Sequence, residues 1–487
     1  MPEQDPLPPQ NAGKKSKKSK KKGAMNPALL TPEYIAQQRA LKLEEKNKKR
    51  DLLTKLGIDP VSTIEKPYLK FIKRKMLQVA VPSDERLNIS IMTYNMLAQA
   101  LIRRKLFPTS GDALKWGNRS VVLLNELKYY NCDIMCLQEV DYIQFNSFWN
   151  DELGKLGYDS QFYREGTKNH GVVVFWRKAL FNCIKVSHIN HDQEKTSDIA
   201  PRTVAQNVGV LVALEFSEKI KQKFPFSNRK GILIGTTHLF WHPFGTYERT
   251  RQTYLILKKM KEFHMSLTGS EKEDKMNDEW FTLFAGDLNS QPFDAPYLSM
   301  TSKPVLYSGR AKTVLECSTS FQYSKKRNGE STEDEDGGNI EKFGPEQPQT
   351  PVPDQFSPTD EQKELVKKIQ VLHNSLPVIA TSLYSAAYAK IHSENAGKDN
   401  DRNEPLISNW AHAWRGLLDY ILVIQDWGFG DRTAPIDNVQ LFQQTGIAIN
   451  SLLRMPLPAE LGNEGFPKAG MFGSDHLCMA ANVGLAM

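Results

Sequence analysis

The sequence predicts an α/β fold with its polar residues gathered at strand ends, and three observations carry that prediction. Six short apolar or β-branched runs are spread over roughly 400 residues, each bearing a carboxylate, amide or histidine. Runs of four to eight such residues read as buried strands. Helical patterns stand apart from these runs, one near the N-terminus and one restarting at Thr359-Asp360-Glu361. The chain has 487 residues, 40% hydrophobic and 10% aromatic, which is enough for one large core with appendages.

Taken in order, residues 1–30 read as a disordered tail around the block Lys14 to Lys22, because like charges repel and apolar residues are scarce. Residues 31–86 read as a helical, basic lead-in. Thr31 can cap a helix that has Pro32 at its first position, with Tyr34, Ile35, Leu41 and Leu43 as apolar positions. The pattern ends near Gly57, and Lys73-Arg74-Lys75 follows in an irregular stretch. Residues 87–487 form the core. It is interrupted at about 325–360 by an acidic, Pro- and Gly-rich insertion expected to be disordered.

Charge divides the chain. Residues 1–80 hold 19 Lys/Arg against 8 Asp/Glu, or +11, which leaves 44 against 48, or −4, for the rest. A basic arm on a nearly neutral core points to a polyanion partner or a nuclear address. No stretch reaches the roughly 18–20 apolar residues of a membrane span, and no secretory signal is expected. The five scattered cysteines read as reduced thiols of an intracellular protein.

The six runs carry the chemistry. Asn88–Asn95 ends in Asn95, Cys132–Glu139 in Glu139, and Gly231–His238 in His238. Phe281–Ser290 contains Asp287 and Asn289, Leu417–Ile424 contains Asp419, and Gly473–Leu477 contains Asp475 and His476. Glu139 backed by Asn95 suits Mg²⁺, which is often held by one or two carboxylates plus substrate phosphate. Alternation puts Asp287 and Asn289 on one side, with Gly286 keeping the backbone thin for a ligand. His476 is the acid–base candidate; neighbouring strand residues point oppositely, so Asp475 could orient another group instead, including His238. Together these residues support metal-assisted phosphoester hydrolysis. No P-loop, dinucleotide fingerprint or Gly-x-Ser-x-Gly elbow is present.

The ordered set Tyr94-Asn95-Met96-Leu97-Ala98, Leu137-Gln138-Glu139, Gln206-Asn207-Val208, Thr237-His238-Leu239-Phe240-Trp241, Gly286-Asp287-Leu288-Asn289-Ser290, Asp419-Tyr420-Ile421 and Ser474-Asp475-His476 resembles the endonuclease/exonuclease/phosphatase superfamily. Within it, the set is similar to the deadenylase/nocturnin/Angel branch of exoribonucleases, and most of all to the short yeast members. The resemblance covers about residues 87–487. It implies a four-layer αββα sandwich of two mixed sheets flanked by helices, with the site at one end of the strands. It implies that Glu139, Asn95 and Asp287 hold Mg²⁺, or Mn²⁺ in its place. Asp287 and His476 would activate water, supported by Asp475 and Asp419, while Asn289, His238 and Asn207 would contact phosphate. Trp414 and Pro243 would form opposite walls for a base, since stacking tolerates any base. His170, His242 and Trp410 differ from many relatives and are expected to line the substrate groove.

The expected activity is 3′→5′ hydrolysis of single-stranded RNA ends to 5′-nucleoside monophosphates. The Lys-rich tail would bring the enzyme to ribosomal precursor particles, and the expected location is the nucleus or nucleolus, the cytoplasm, or both. Poly(A) shortening, phosphatase action on a phosphorylated dinucleotide and non-catalytic RNA binding are the alternatives.

Overall fold

The structure, a computed structural model, describes residues 69–269, 276–323, 347–428 and 439–487, together with Leu41 and Glu44. The chain divides into two units, Met1–Lys66 and Pro67–Met487. In the first, only Leu41 and Glu44 are described, and both are helical. The Lys-rich tail and most of the expected N-terminal helix therefore lie outside the described residues, as do residues 324–346 of the acidic insertion.

The second unit is built on two mixed sheets. The first contains β1 (Met76–Gln78), β2 (Arg86–Asn95), β3 (Ile134–Asp141), β4 (Tyr158–Tyr163), β5 (His170–Arg177), β14 (Ile447–Leu453) and β15 (Met479–Ala486), in the order β1-β14-β15-β2-β3-β5-β4. The second contains β6 (Phe181–Asn190), β7 (Val208–Phe216), β8 (Gly231–Thr237), β9 (Trp280–Asp287), β10 (Val378–Ser382) and β13 (Asp419–Asp426), in the order β10-β13-β9-β8-β7-β6. A small hairpin pairs β11 (Asn409–Ala411) with β12 (Trp414–Gly416).

Alternation along the strands builds the layers. Ile89, Ile91, Ile134 and Cys136 enter a core shared with the second sheet, including Val212, Ile234 and Leu283. Met92, Tyr94, Met135 and Leu137 point the other way, onto Leu123, Leu124 and Leu127 of helix α1 (Trp116–Tyr130). The second sheet is flanked by α2 (Thr246–Thr268), whose Leu255, Ile256 and Met260 join the shared core. Helix α3 (Asp360–Asn374) starts where the sequence restarts a helix. Thr359 closes a capping box there with Gln362. The expected four-layer sandwich is the observed architecture.

Each sheet has one central parallel pair, β2 with β3 and β8 with β9. Antiparallel partners begin where those strands end: Asp419 sits opposite Asp287, and Met479 opposite Thr93. All six functional stretches therefore reach the same edge of the sandwich.

Three expectations need correction. The compact unit begins at Pro67, about twenty residues before Leu87. The supposed lead-in supplies edge strand β1, while Arg74 is buried and donates to the Cys478 carbonyl at 2.8 Å. Gly473–Leu477 is a bend leading into β15 rather than a strand. Finally, part of the acidic insertion is placed. From Gln347 the chain runs without helix or strand to Thr359 and is tied back to the core. Gln347 and Gln322 exchange two hydrogen bonds, and Phe356 packs against the cluster of Phe244, Cys317 and Phe321.

Candidate active site

Asn95 ends β2 and Glu139 lies near the end of β3. The strand carries a bulge between Leu137 and Val140, with Glu139 at φ 51°. A left-handed conformation costs a non-glycine residue about 1–2 kcal/mol, and the bulge re-aims the carboxylate into the site. Its oxygens are fixed by Asn95 Nδ2 at 3.0 Å and the Ala98 N–H at 3.0 Å. The same Asn95 Nδ2 lies 3.0 Å from Asp287 Oδ2, so one amide spans the two carboxylates. Burial would raise the Glu139 carboxyl, but His238, His170 and the Asn95 hydrogen bond hold it below the ordinary range.

Asp287 ends β9. Its Oδ1 accepts from the Asn289 N–H at 2.8 Å, and Asn289 is left-handed at φ 46°. Gly-Asp-x-Asn is therefore both a turn and a site, because that turn swings Asn289 Nδ2 to 2.8 Å from His238 Nε2. Gly286 serves a different purpose from the expected one. A Cβ there would lie 2.6 Å from the Thr237 carbonyl, so glycine is required by the neighbouring strand rather than by a ligand.

His238 sits between carboxylates, with Nδ1 3.8 Å from Glu139 and Nε2 3.6 Å from Asp287. His476 Nε2 is 3.6 Å from the same Asp287 oxygen, and its Nδ1 is 2.8 Å from Asp419 Oδ2. Asp419, not Asp475, orients His476. Ser408 holds that carboxylate in turn, its Oγ donating at 2.6 Å and accepting from the Leu418 and Asp419 N–H groups. Burial alone would lower His476, but Asp419 and Asp287 push it up to about 10. Asp475 takes a different place. It lies beside Ser474 and is pushed up to about 6, first by burial and then by Glu139.

These groups open onto a cleft of about 500 Å³. Trp414, 46% exposed, and Pro243 both line it. Asn207 also lines it, but both ends of its amide are engaged, with the His238 carbonyl and with Gln252. Of the three departures, only His170 lines the cleft. His242 is buried in an aromatic cluster with Phe240 and Phe321, its Nδ1 accepting from the Phe244 N–H. Trp410 is buried against Phe466, and its indole donates to the His412 carbonyl.

Several contributors escaped the sequence reading. Ser408 gives no sequence signal. Arg119, buried on α1, donates to the Met96, Leu97 and Gly473 carbonyls and so ties the β2 exit to the bend carrying His476. Gln138, adjacent to Glu139, bridges the sheets to Thr236 at 2.9 Å. Arg119 had a visible trace, as one of the two charged residues, with Glu126, on the mainly apolar buried face of its helix.

The donor set suits a hard cation. Asp287, Asp419 and His476 offer ligand atoms all within 4.8 Å of one another, and Asp419 Oδ1 is buried without a hydrogen-bond partner. Glu139 adds a third carboxylate, linked to Asp287 through the Asn95 amide.

The pattern describing the Endonuclease/Exonuclease/phosphatase family matches residues 92–476. The chain belongs to that family. Endonuclease/exonuclease/phosphatase enzymes are hydrolytic and metal-dependent, and the group of Asp287, Asp419 and His476 could hold a metal ion. "RNA exonuclease NGL2" of Saccharomyces cerevisiae is 52% identical over 478 residues, covering 97% of this chain and 92% of that protein. "Probable RNA exonuclease NGL3" of the same yeast is 37% identical over 477 residues, covering 94% and 90%. Among solved structures, ANGEL2, described as a 2′,3′-cyclic phosphatase, aligns at a TM-score of 0.55 and 19% identity, over 85% of this chain and 99% of that one. That last likeness is one of fold.

Proposed function

We propose that this family member is a Mg²⁺-dependent 3′→5′ exoribonuclease that trims single-stranded RNA ends to 5′-nucleoside monophosphates. One observation carries the reading. Glu139, Asp287, Asn289, His238 and His476 line a cleft with the exposed face of Trp414, and Asn95 and Asp419 are buried behind them, hydrogen-bonded to Asp287 and His476. The relatives named as RNA exonucleases, similar to this chain over nearly its whole length, support the same substrate class.

Glu139 and Asp287, with Asn95 between them, would hold the cation. When bound, Mg²⁺ polarises the phosphate and offsets its charge. Asp287 takes a proton from the attacking water, whose oxygen bonds to phosphorus. His476 is kept protonated by Asp419 and donates to the charge that develops on the phosphate oxygens, while Asn289, whose amide donates to His238 Nε2 and to the Leu239 carbonyl, fixes His238 beside it. The bond to the upstream O3′ breaks, that oxygen takes its proton from solvent water in the open cleft, and Asp287 returns the proton it accepted to solvent. Trp414 and Pro243 hold the terminal base, while Asn207 positions His238. Asp475 sits close to Glu139 as a supporting carboxylate. The Lys14–Lys22 block supports a polyanionic partner such as a ribosomal precursor particle, and a nuclear or nucleolar location.

Product analysis tests the proposal. Chromatography after digestion should show 5′-monophosphates alone. Internal fragments would mean endonuclease action. Inorganic phosphate released from a phosphorylated dinucleotide, with RNA untouched, would make the protein a phosphatase.

A further inference from the structure

The loop after β2 carries Arg103-Arg104-Lys105 between Leu101 and Leu106, and both leucines line the active-site cleft. Its root is rigidly fixed. Asp141, two residues beyond Glu139 on β3, accepts from the Gln99 N–H at 2.5 Å and the Ala100 N–H at 3.0 Å. Arg119 adds a bond from its guanidinium to Gln99 Oε1 at 3.0 Å. Leu97, Phe107 and Leu114 form a small apolar cluster on which Ile102 and Leu106 pack. The loop is thus held in place relative to the hydrolytic residues by the strand that carries Glu139.

Arg104 and Lys105 are exposed at its crest, and neither makes a hydrogen bond or ion pair among the described residues. The acid that feels Arg104, Asp112, is already paired with Lys115 at 2.7 Å. Many exposed lysines of this unit are matched, such as Lys155 with Asp151 and Lys363 with Asp360. Two unmatched cations at the mouth of a phosphodiester-cleaving cleft present a surface complementary to a polyanion.

We infer that the Arg104–Lys105 rim binds the sugar–phosphate backbone of single-stranded RNA upstream of the scissile bond. The inference rests on the exoribonuclease reading above. Backbone neutralisation is independent of sequence and depends on salt, with a slope of about 0.7 per phosphate contact on single strands. The rim therefore adds affinity only for RNA long enough to reach it, whereas the cleft floor handles the terminal nucleotide.

The experiment uses the full-length protein, an Arg104→Ala/Lys105→Ala variant and an Arg104→Glu/Lys105→Glu variant. Substrates are a trinucleotide and an RNA of about 20 nucleotides sharing one 3′ end. On the longer RNA, KM should rise about tenfold with the alanine pair and further with the glutamate pair. The slope of log KM against log salt should become shallower by about 1.4, two contacts at about 0.7 each. On the trinucleotide, both kcat and KM should stay within about twofold. Equal losses on both RNAs would overturn the inference, making the loop a support for the Glu139 strand. Unchanged constants would overturn it too, leaving the rim as ordinary solvated surface. Wild-type protein that leaves both RNAs intact would overturn the exoribonuclease reading, and the rim assignment with it.

Discussion

Replacing Asp419 with Asn keeps the side chain's shape and removes the charge that holds His476 protonated. Asp419 Oδ2 lies 2.8 Å from His476 Nδ1, and both side chains are buried. At that distance and an effective dielectric of about 20, a unit charge pair is worth about 6 kcal/mol. The direction of the imidazole agrees: burial lowers it, yet Asp419 and Asp287 hold it at about 10 against an ordinary 6.5. Without Asp419, burial dominates and the imidazole becomes neutral at pH 7.5. NMR of the His476 ring in EDTA should show this directly. With Mg²⁺, turnover at neutral pH should fall about 10²- to 10³-fold, the range for a lost donor to the developing charge, and activity should recover towards lower pH. RNA binding should stay within about threefold. A variant whose His476 still titrates above about pH 9, or whose rate stays within about twofold of wild type at every pH, would refute the reasoning.

Other perturbations follow the same geometry. Trp414→Ala removes a stacking face worth about 1–3 kcal/mol, so KM should rise about 5- to 150-fold with kcat nearly kept; a fall in kcat alone would contradict the stacking role. Asp287→Asn should abolish turnover while fluorescence anisotropy shows RNA still bound, and joint loss would mark Asp287 as structural. Glu404 is buried, accepts from Tyr297 at 2.8 Å, and is pushed up by burial to about 7 from 4.5. Its neutral form therefore favours the folded state. That stability is full below about pH 4.5 and is lost as pH rises through 7, amounting to about 3 kcal/mol. Glu404→Gln should flatten this slope in urea titrations, and an unchanged slope would show that Glu404 is charged in the folded protein.

Much of this site could be read from the sequence because its residues sit at the ends of self-announcing strands. The runs ending at Asn95 and Glu139 became β2 and β3, and their apolar alternation fixed which face each residue took. Local pattern failed where long-range contacts decide. Alternation argued against Asp475 as the direct partner of His476 but could not name the residue that is; strand β13 places Asp419 opposite Asp287 and delivers it to the histidine. His242 looked like a groove residue, yet aromatic rings from residues 240 and 321 enclose it. Gly286 read as space for a ligand, whereas its constraint is the adjacent Thr237 carbonyl. Met76–Gln78 is too short to announce itself, and only pairing with β14 makes it a strand.

The most direct test of the central claim is a time course on 5′-labelled single-stranded RNA, with Mg²⁺ or EDTA, comparing an oligo(A) end with a mixed-sequence end. The account expects a ladder shortening from the 3′ end on both RNAs with Mg²⁺ and none with EDTA. A ladder confined to oligo(A) would make the protein a deadenylase. RNA left intact with Mg²⁺, or cut equally well in EDTA, would contradict the metal-dependent exoribonuclease assigned to this cleft.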